Sequence, residues 1–189
     1  MERATEKTPI EIINWLLFPY EYFGSKFSND KFTLLDIACG ENLQYKIIKP
    51  QFKRIISMDN HESHNIINGD ISNIKLPNKS VDVTFSFETI EHIKPEKFNV
   101  VINELIRVTR KILVIGSVNK TGPEKLNDIV IYKNGLNLFH LNELDVKQWK
   151  HHFSDAWSHA HSVFSNNNWS MQNDLDSKNG ISNYAIKYL

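Results

Sequence analysis

Three side chains able to hold a proton or a metal ion fall close together at Glu88, Glu91 and His92, spaced i, i+3 and i+4. On a helical turn that spacing puts them on one face. His140, beside Leu141-Asn142-Glu143, lies farther along the chain and is a fourth candidate for the same mouth. Two carboxylates and two imidazoles form a donor set suited to Mg²⁺, Mn²⁺, Zn²⁺ or a similar divalent ion. The same groups can work without metal, as a general base, or can serve only in packing and in orienting a neighbour. Glu91, His92 and His140 are therefore the candidate catalytic residues, and the sequence leaves open whether a metal joins them and Glu88.

A second polar set reads as a binding site. Leu34-Leu35-Asp36-Ile37 is an apolar run with one acid, and it breaks at once into Ala38-Cys39-Gly40. Such a run is a buried parallel strand handing over to a helix through a tight turn. Gly40 permits a positive φ or a close ligand approach there, and Asp36 offers a carboxylate at the strand end. Asp59 follows 23 positions after Asp36, where dinucleotide folds place a carboxylate on ribose hydroxyls. A carboxylate suits a vicinal diol because it accepts from both hydroxyls. The Gly-x-Gly-x-x-Gly pattern is missing, so the pocket suits a nucleoside without a diphosphate.

The elements that must position these residues alternate between strand and helix. Strands are expected over Phe32–Ile37, Arg54–Met58, Ile66–Ile67, Val81–Phe87 and Ile112–Val118, then Trp157–Phe164 and Tyr184–Leu189. Helices are expected over Asn42–Ile48, Pro95–Thr109 and a segment capped by Asp145 and Gln148 that runs to about His152. This alternation predicts an α/β fold with a doubly wound, mostly parallel seven-stranded sheet and an antiparallel C-terminal strand. Thr8-Pro9-Ile10-Glu11 opens a further helix that Pro19 is expected to stop after Phe18. Residues 1–30 thus read as a helical cap, packed across the sheet edge or closing as a lid with Trp15, Tyr20 and Tyr22, over a binding domain at 31–189. Only six residues separate Asp59 from Ile66, too few for the usual crossover, so a loop at Asn60–Asn65 is expected to leave the ribose side open. His151, His152, His159 and His161 have no recognised ligand spacing, and the last two read as a solvated or partner-facing row.

Composition narrows the setting. The 189 residues hold 22 Lys plus Arg against 22 Asp plus Glu, and this balance argues mildly against a long nucleic-acid partner. The single cysteine, Cys39, excludes an internal disulfide and fits a reducing compartment; in a tight turn it reads as a small buried residue. No apolar run is long enough to span a bilayer, and Met1–Thr8 lack a signal-peptide core. A cytoplasmic protein without a membrane partner is expected.

From about Phe32 to Phe153 the chain resembles the class I S-adenosylmethionine-dependent methyltransferases, in a small, type-11-like form. Leu34-Leu35-Asp36-Ile37-Ala38-Cys39-Gly40 is similar to the family's first motif, whose turn lies against the methionine part of the cofactor. Ala38 and Asn42 stand where the family more often has glycine. Asp59 matches its ribose-binding acid, and Gly69-Asp70-Ile71 resembles the segment whose aspartate and next residue contact adenine. Ser80 to Ile93 is similar to the fourth-strand motif, and Glu104-Leu105-Ile106-Arg107-Val108 to the helix before the fifth strand.

The resemblance implies a Rossmann-like methyltransferase domain at 31–189 with S-adenosyl-L-methionine as cofactor. Asp36, Ala38, Cys39, Gly40, Asp59, Asn60, Asp70, Ile71 and Phe87 are the residues it points to for holding that cofactor. The expected reaction is direct displacement onto an oxygen of a small hydroxylated molecule: a sugar, quinol or secondary metabolite. Glu-x-x-Glu-His is similar to the metal site of small-RNA 3′-terminal 2′-O-methyltransferases and to a segment of ubiquinone-pathway O-methyltransferases. The Phe139–Glu143 piece looks like one in methyltransferases of sugar and surface-glycan pathways. A metal-dependent RNA 2′-O-methyltransferase is thus one alternative, and a binding module that kept the fold and lost turnover is another.

Overall fold

The computed structural model describes residues 10–61, 65–121, 125–126, 129–130, 140–154, 156–165, 168–173 and 180–189. The chain opens with α1 (Ile10–Lys26), β1 (Asn29–Ile37), α2 (Tyr45–Ile48), β2 (Phe52–Asp59), β3 (Ile67–Asn68) and β4 (Val81–Phe87). It continues through α3 (Phe98–Val108), β5 (Thr109–Val118), a separate pair formed by β6 (Lys125–Leu126) and β7 (Ile129–Val130), and α4 (Val146–His152). It closes with β8 (Ser158–Ser165), β9 (Asn168–Gln172) and β10 (Ser182–Tyr188).

The main sheet has the order β3-β2-β1-β4-β5-β10-β8-β9. β1 pairs in parallel with both β2 and β4, so strand order reverses between β1 and β4 and a crevice opens at their C-terminal tips. The α/β class, the doubly wound core and the antiparallel C-terminal arm agree with expectation. The strand count does not: the sheet has eight strands, because β9 forms in a stretch that reads as polar loop. There Trp169 stacks on Phe18 with ring centroids 5.6 Å apart, and Met171 packs on the aromatic core, a period of two hidden among Asn and Ser.

Two apolar layers flank the sheet. One face carries α3 and α4, with Leu105, Val108, Trp149 and Phe153 packed on Leu35, Ile37 and Ile115. The other carries α1, whose Tyr20 and Phe23, with Phe27 just after it, meet Leu34, Phe85, Phe87 and Tyr184. Gly116 makes this second layer fit, since a Cβ there would lie 2.5 Å from the Tyr184 ring.

Pro19 does not stop α1, which runs on to Lys26. A proline inside a helix costs about 3 kcal/mol. Burial of Tyr20, Phe23 and Phe27 beyond it outweighs that penalty, at roughly 1.5–3 kcal/mol for each large side chain. The Thr8–Pro9 helix start lies outside the described residues, as do positions 62–64 of the short crossover and most of the segment before His140. Asp145 caps α4 with the expected reciprocal bonds to Gln148. The expected solvated or partner-facing histidine row is overturned at His161, which is 1% exposed on a strand paired on both edges, by β10 and β9. No described helix is long and apolar enough to cross a membrane.

Candidate functional site

The crevice has a side built on β1 and β2 and a side built on β4. On the first, the β1–α2 turn carries three residues with left-handed φ: Ala38 at 59°, Gly40 at 55° and Asn42 at 60°. The two positions where glycine is more usual thus keep the glycine conformation. Asn42 does so readily, and its side-chain oxygen accepts from the Ser57 hydroxyl at 3.2 Å. A Cβ built on Gly40 meets no atom within 4 Å, so the turn faces open space that a bound molecule can fill.

Asp36 is fully buried at the end of β1, with its carboxylate turned inward. The Tyr20 hydroxyl donates to its Oδ1 at 3.0 Å, and the Gln44 amide donates to its Oδ2. Burial pushes the Asp36 carboxyl up to about 7, against the opposing effect of these two donors. Gln44 also donates to the Cys39 carbonyl at 3.2 Å, tying Asp36 to the turn. Burial raises the Cys39 thiol as well, which keeps it protonated and unreactive.

Asp59 is buried at the tip of β2, one strand away. Its Oδ2 accepts the Gly40 N–H at 2.8 Å, and its Oδ1 accepts from the Asn60 N–H at 2.7 Å and His61 Nδ1 at 2.9 Å. Asp70 is exposed and accepts both the backbone N–H and the hydroxyl of Ser72, which hold its carboxyl below the usual range. Ile71 packs on the α3-side core. Phe87 lies in the aromatic layer under α1, 4.8 Å from the Tyr20 ring.

On the other side, β4 ends at Phe87 and Glu88 turns left-handed with φ 48°, a conformation that non-glycine residues hold only where neighbours enforce it. The following turn, Ile90–His92, is a short 3-10 helix. The Trp15 indole N–H donates to Ser182 Oγ at 3.0 Å, and Ser182 Oγ lies 3.0 Å from Glu88 Oε1. The indole is donor-only, so the serine proton points at Glu88. Ser117 Oγ donates to Glu91 Oε2 at 2.8 Å. The Glu88 carboxyl is further bonded to that of Glu91; burial first, and the Glu91 charge next, raise it well above the usual range.

The segment carrying His140 returns to this turn through two backbone bonds, from Leu141 N–H at 2.6 Å and Asn142 N–H at 2.9 Å, both to the Glu91 carbonyl. His92 and His140 then stand with ring centroids 4.8 Å apart, and His140 Nδ1 meets Glu143 Oε1 at 2.6 Å. One ligand atom each from Glu91, His92 and His140 lies within 4.8 Å of the others, a donor set of the hard and borderline kind that divalent ions take. Glu88 stands beside this group through its bond to Glu91 rather than in it.

Gln44, His61, Ser117 and Ser182 touch the candidate residues, and Trp15, expected only as part of a lid, reaches Glu88 through Ser182. Only His61, two places after Asp59, could have been suspected from position.

Residues 35–114 match a family model described as a methyltransferase domain. None of the curated proteins compared matches the chain. Among solved structures the chain is similar to an S-adenosylmethionine-dependent methyltransferase from Archaeoglobus fulgidus, with 15% identity and a TM-score of 0.68 over 93% of this chain and 94% of that one. It is equally similar in fold to one from Thermotoga maritima, with 12% identity and a TM-score of 0.68 over 94% and 91%. Small RNA methyltransferase HEN1 superposes with a TM-score of 0.63 and 17% identity, covering 98% of this chain and 26% of that one.

Proposed function

We propose, for a chain that is a class I S-adenosylmethionine-dependent methyltransferase, that the methyl group goes to a hydroxyl oxygen of a small hydroxylated acceptor such as a sugar, a quinol or a secondary metabolite. The observation that carries this reading is the convergence of Glu91, His92 and His140 beyond the tip of β4. An oxygen nucleophile needs its proton removed, whereas methyl transfer to an amine can proceed on a free lone pair.

In this reading Asp59 and Asn60 hold the ribose, Asp70 and Ile71 the adenine, and the turn Ala38-Cys39-Gly40 the methionine part. Asp36 and Phe87 support that wall from beneath, as their buried positions favour. Residues 1–30 act as a cap on the domain at 31–189, supported by Tyr20 on Asp36 and Trp15 on Ser182. The acceptor oxygen attacks the methyl carbon in line, the sulfur–methyl bond breaks with its electron pair left on sulfur, and the hydroxyl proton passes to His92 or His140. Holding the two partners in line in a dry site supplies much of the rate. With a divalent ion held instead by Glu91, His92 and His140, those imidazoles would no longer take the proton, and the ion would lower the acceptor hydroxyl's pKa. A cytoplasmic setting completes the reading, supported by the lone cysteine.

A second reading is 2′-O-methylation at an RNA 3′ end. It is favoured by the same Glu91–His92–His140 group together with the likeness to HEN1, and opposed by the even charge balance.

The test is methyl transfer from labelled S-adenosylmethionine to three acceptor sets: sugars and quinols, their amine analogues, and a short RNA ending in either a 2′-hydroxyl or a 2′-deoxy ribose. Each is run with Mn²⁺ and with chelator. Transfer to hydroxylated small molecules is expected. Transfer only to amines overturns oxygen as the acceptor, and Mn²⁺-dependent transfer only to the 2′-hydroxyl RNA selects the second reading.

A further inference from the structure

Asp59 carries more donors than its ribose role leaves room for. Its Oδ1 accepts from the Asn60 N–H at 2.7 Å and from His61 Nδ1 at 2.9 Å, and its Oδ2 accepts from the Gly40 N–H at 2.8 Å. A carboxylate offers about four lone-pair directions. At least three are taken, and a vicinal diol needs two, so at least one donor must leave when both ribose hydroxyls bind.

Two of these donors are backbone groups and cannot leave cheaply. The Cys39 N–H is fixed to the Met58 carbonyl at 3.2 Å, and the Gly69 N–H to the Asp59 carbonyl at 2.8 Å, so the turn and the strand tip are mutually anchored. His61 is a side chain, and rotation about its Cα–Cβ bond frees it. It is also held at one end only. Donation to a carboxylate fixes its proton on Nδ1, and Nε2, 3.9 Å from Glu41 Oε1, makes no hydrogen bond among the described residues. The ring therefore reaches from the tip of β2 toward the residue after Gly40, between two carboxylates.

We infer that His61 is a latch on the ribose subsite: it closes on Asp59 in the free protein and swings out when an adenosyl ribose binds. The inference rests on the reading of Asp59 as the ribose carboxylate. Its consequence is that His61 weakens cofactor binding instead of contributing to it, and that a nucleoside can open the latch only by offering a diol able to replace the imidazole donor.

Calorimetric titration of S-adenosylhomocysteine into the wild-type protein and three variants tests this. His61→Ala is expected to tighten binding about tenfold, the scale of one released hydrogen bond to a charged group. His61→Gln, whose amide can still donate to Asp59, is expected to stay within about twofold of wild type. Unchanged or weaker binding by His61→Ala overturns the latch, weaker binding making His61 a cofactor ligand; equal tightening by both His61 variants also overturns it, because the donor would then not matter. Asp59→Ala reports separately on the ribose reading. If it leaves affinity unchanged, that reading fails whatever His61 does. If it weakens binding while His61→Ala does not tighten it, only the latch fails.

Discussion

The two sides of the crevice are built by different means. The β1–β2 side, the proposed cofactor wall, is largely a backbone construction: left-handed residues at 38, 40 and 42, and a carboxylate, Asp59, that accepts from the backbone of Gly40 and Asn60 as well as from His61. The β4 side, the proposed acceptor wall, is a side-chain construction assembled from distant segments. Trp15 reaches Ser182, Ser182 reaches Glu88, Ser117 reaches Glu91, and the His140 segment hangs on the Glu91 carbonyl. A wall made of turns tolerates side-chain change as long as the φ angles persist. A wall made of converging carboxyls and imidazoles depends on each one.

The largest expected effect follows from that asymmetry. Glu91→Gln keeps the shape and can still accept from Ser117, but it removes the charge from the Glu91–His92–His140 group. Methyl transfer to the acceptor found in the screen above should fall by about 100-fold or more, the scale of a lost acid–base or metal-binding group. Mn²⁺ binding, followed by the relaxation enhancement of water protons, should fall with it. Calorimetric affinity for S-adenosylhomocysteine should move less than about twofold, since one intact wall is enough to hold the cofactor. A parallel loss of cofactor affinity would show that the walls are one cooperative unit and would break the comparison.

The same asymmetry explains what the sequence could tell. The geometry of the β1–β2 side was legible because its signals are local: an apolar run with a terminal acid, a turn with Gly40, a second acid one strand later. The order of strands around it followed from alternating element types, and β4 matches its expected span from Val81 to Phe87. On the acceptor wall the i, i+3, i+4 spacing pointed to Glu88, Glu91 and His92, yet the turn is a 3-10 helix that brings Glu91 and His92 to His140 and leaves Glu88 paired behind them. Partners 94 and 167 positions away in the chain, Ser182 for Glu88 and Ser182 for Trp15, leave no local trace. Pro19 and β9 were misread for a related reason, because tertiary burial of aromatic residues overrode local signals of breakage and polarity.

A smaller effect probes the cofactor wall through pH. Burial raises the Asp36 carboxyl from 3.8 to about 7, so between those values the folded state holds a proton that the unfolded chain has released. Stability from this group is fully present below about pH 4 and is lost as pH rises through about 7, by an amount on the order of a few kcal/mol. Glu88 is shifted in the same direction, so wild type alone cannot separate the walls. Asp36→Asn can. Urea unfolding at pH 5 and pH 8 should show wild type losing stability relative to the variant as pH rises. An equal pH dependence in both proteins would move the titrating group to the acceptor wall.

The smallest effect is the most specific to a wall made of backbone. Ala38 holds a φ of 59°, where a Cβ costs roughly 1–2 kcal/mol. Replacing it by glycine removes that strain but adds unfolded-chain entropy worth roughly 0.5–1 kcal/mol, so Ala38→Gly should stabilise the protein by at most about 1.5 kcal/mol. Gly40→Ala is the mirror experiment. A Cβ there meets nothing, so no clash contributes, and the positive φ alone should destabilise by about 1 kcal/mol. Opposite signs from two neighbouring positions, read as shifts in urea midpoint at constant slope, are what conformational strain predicts. Destabilisation by both would mean that the Ala38 methyl packs against something the fold needs, and the turn would then depend on side chains as the acceptor wall does.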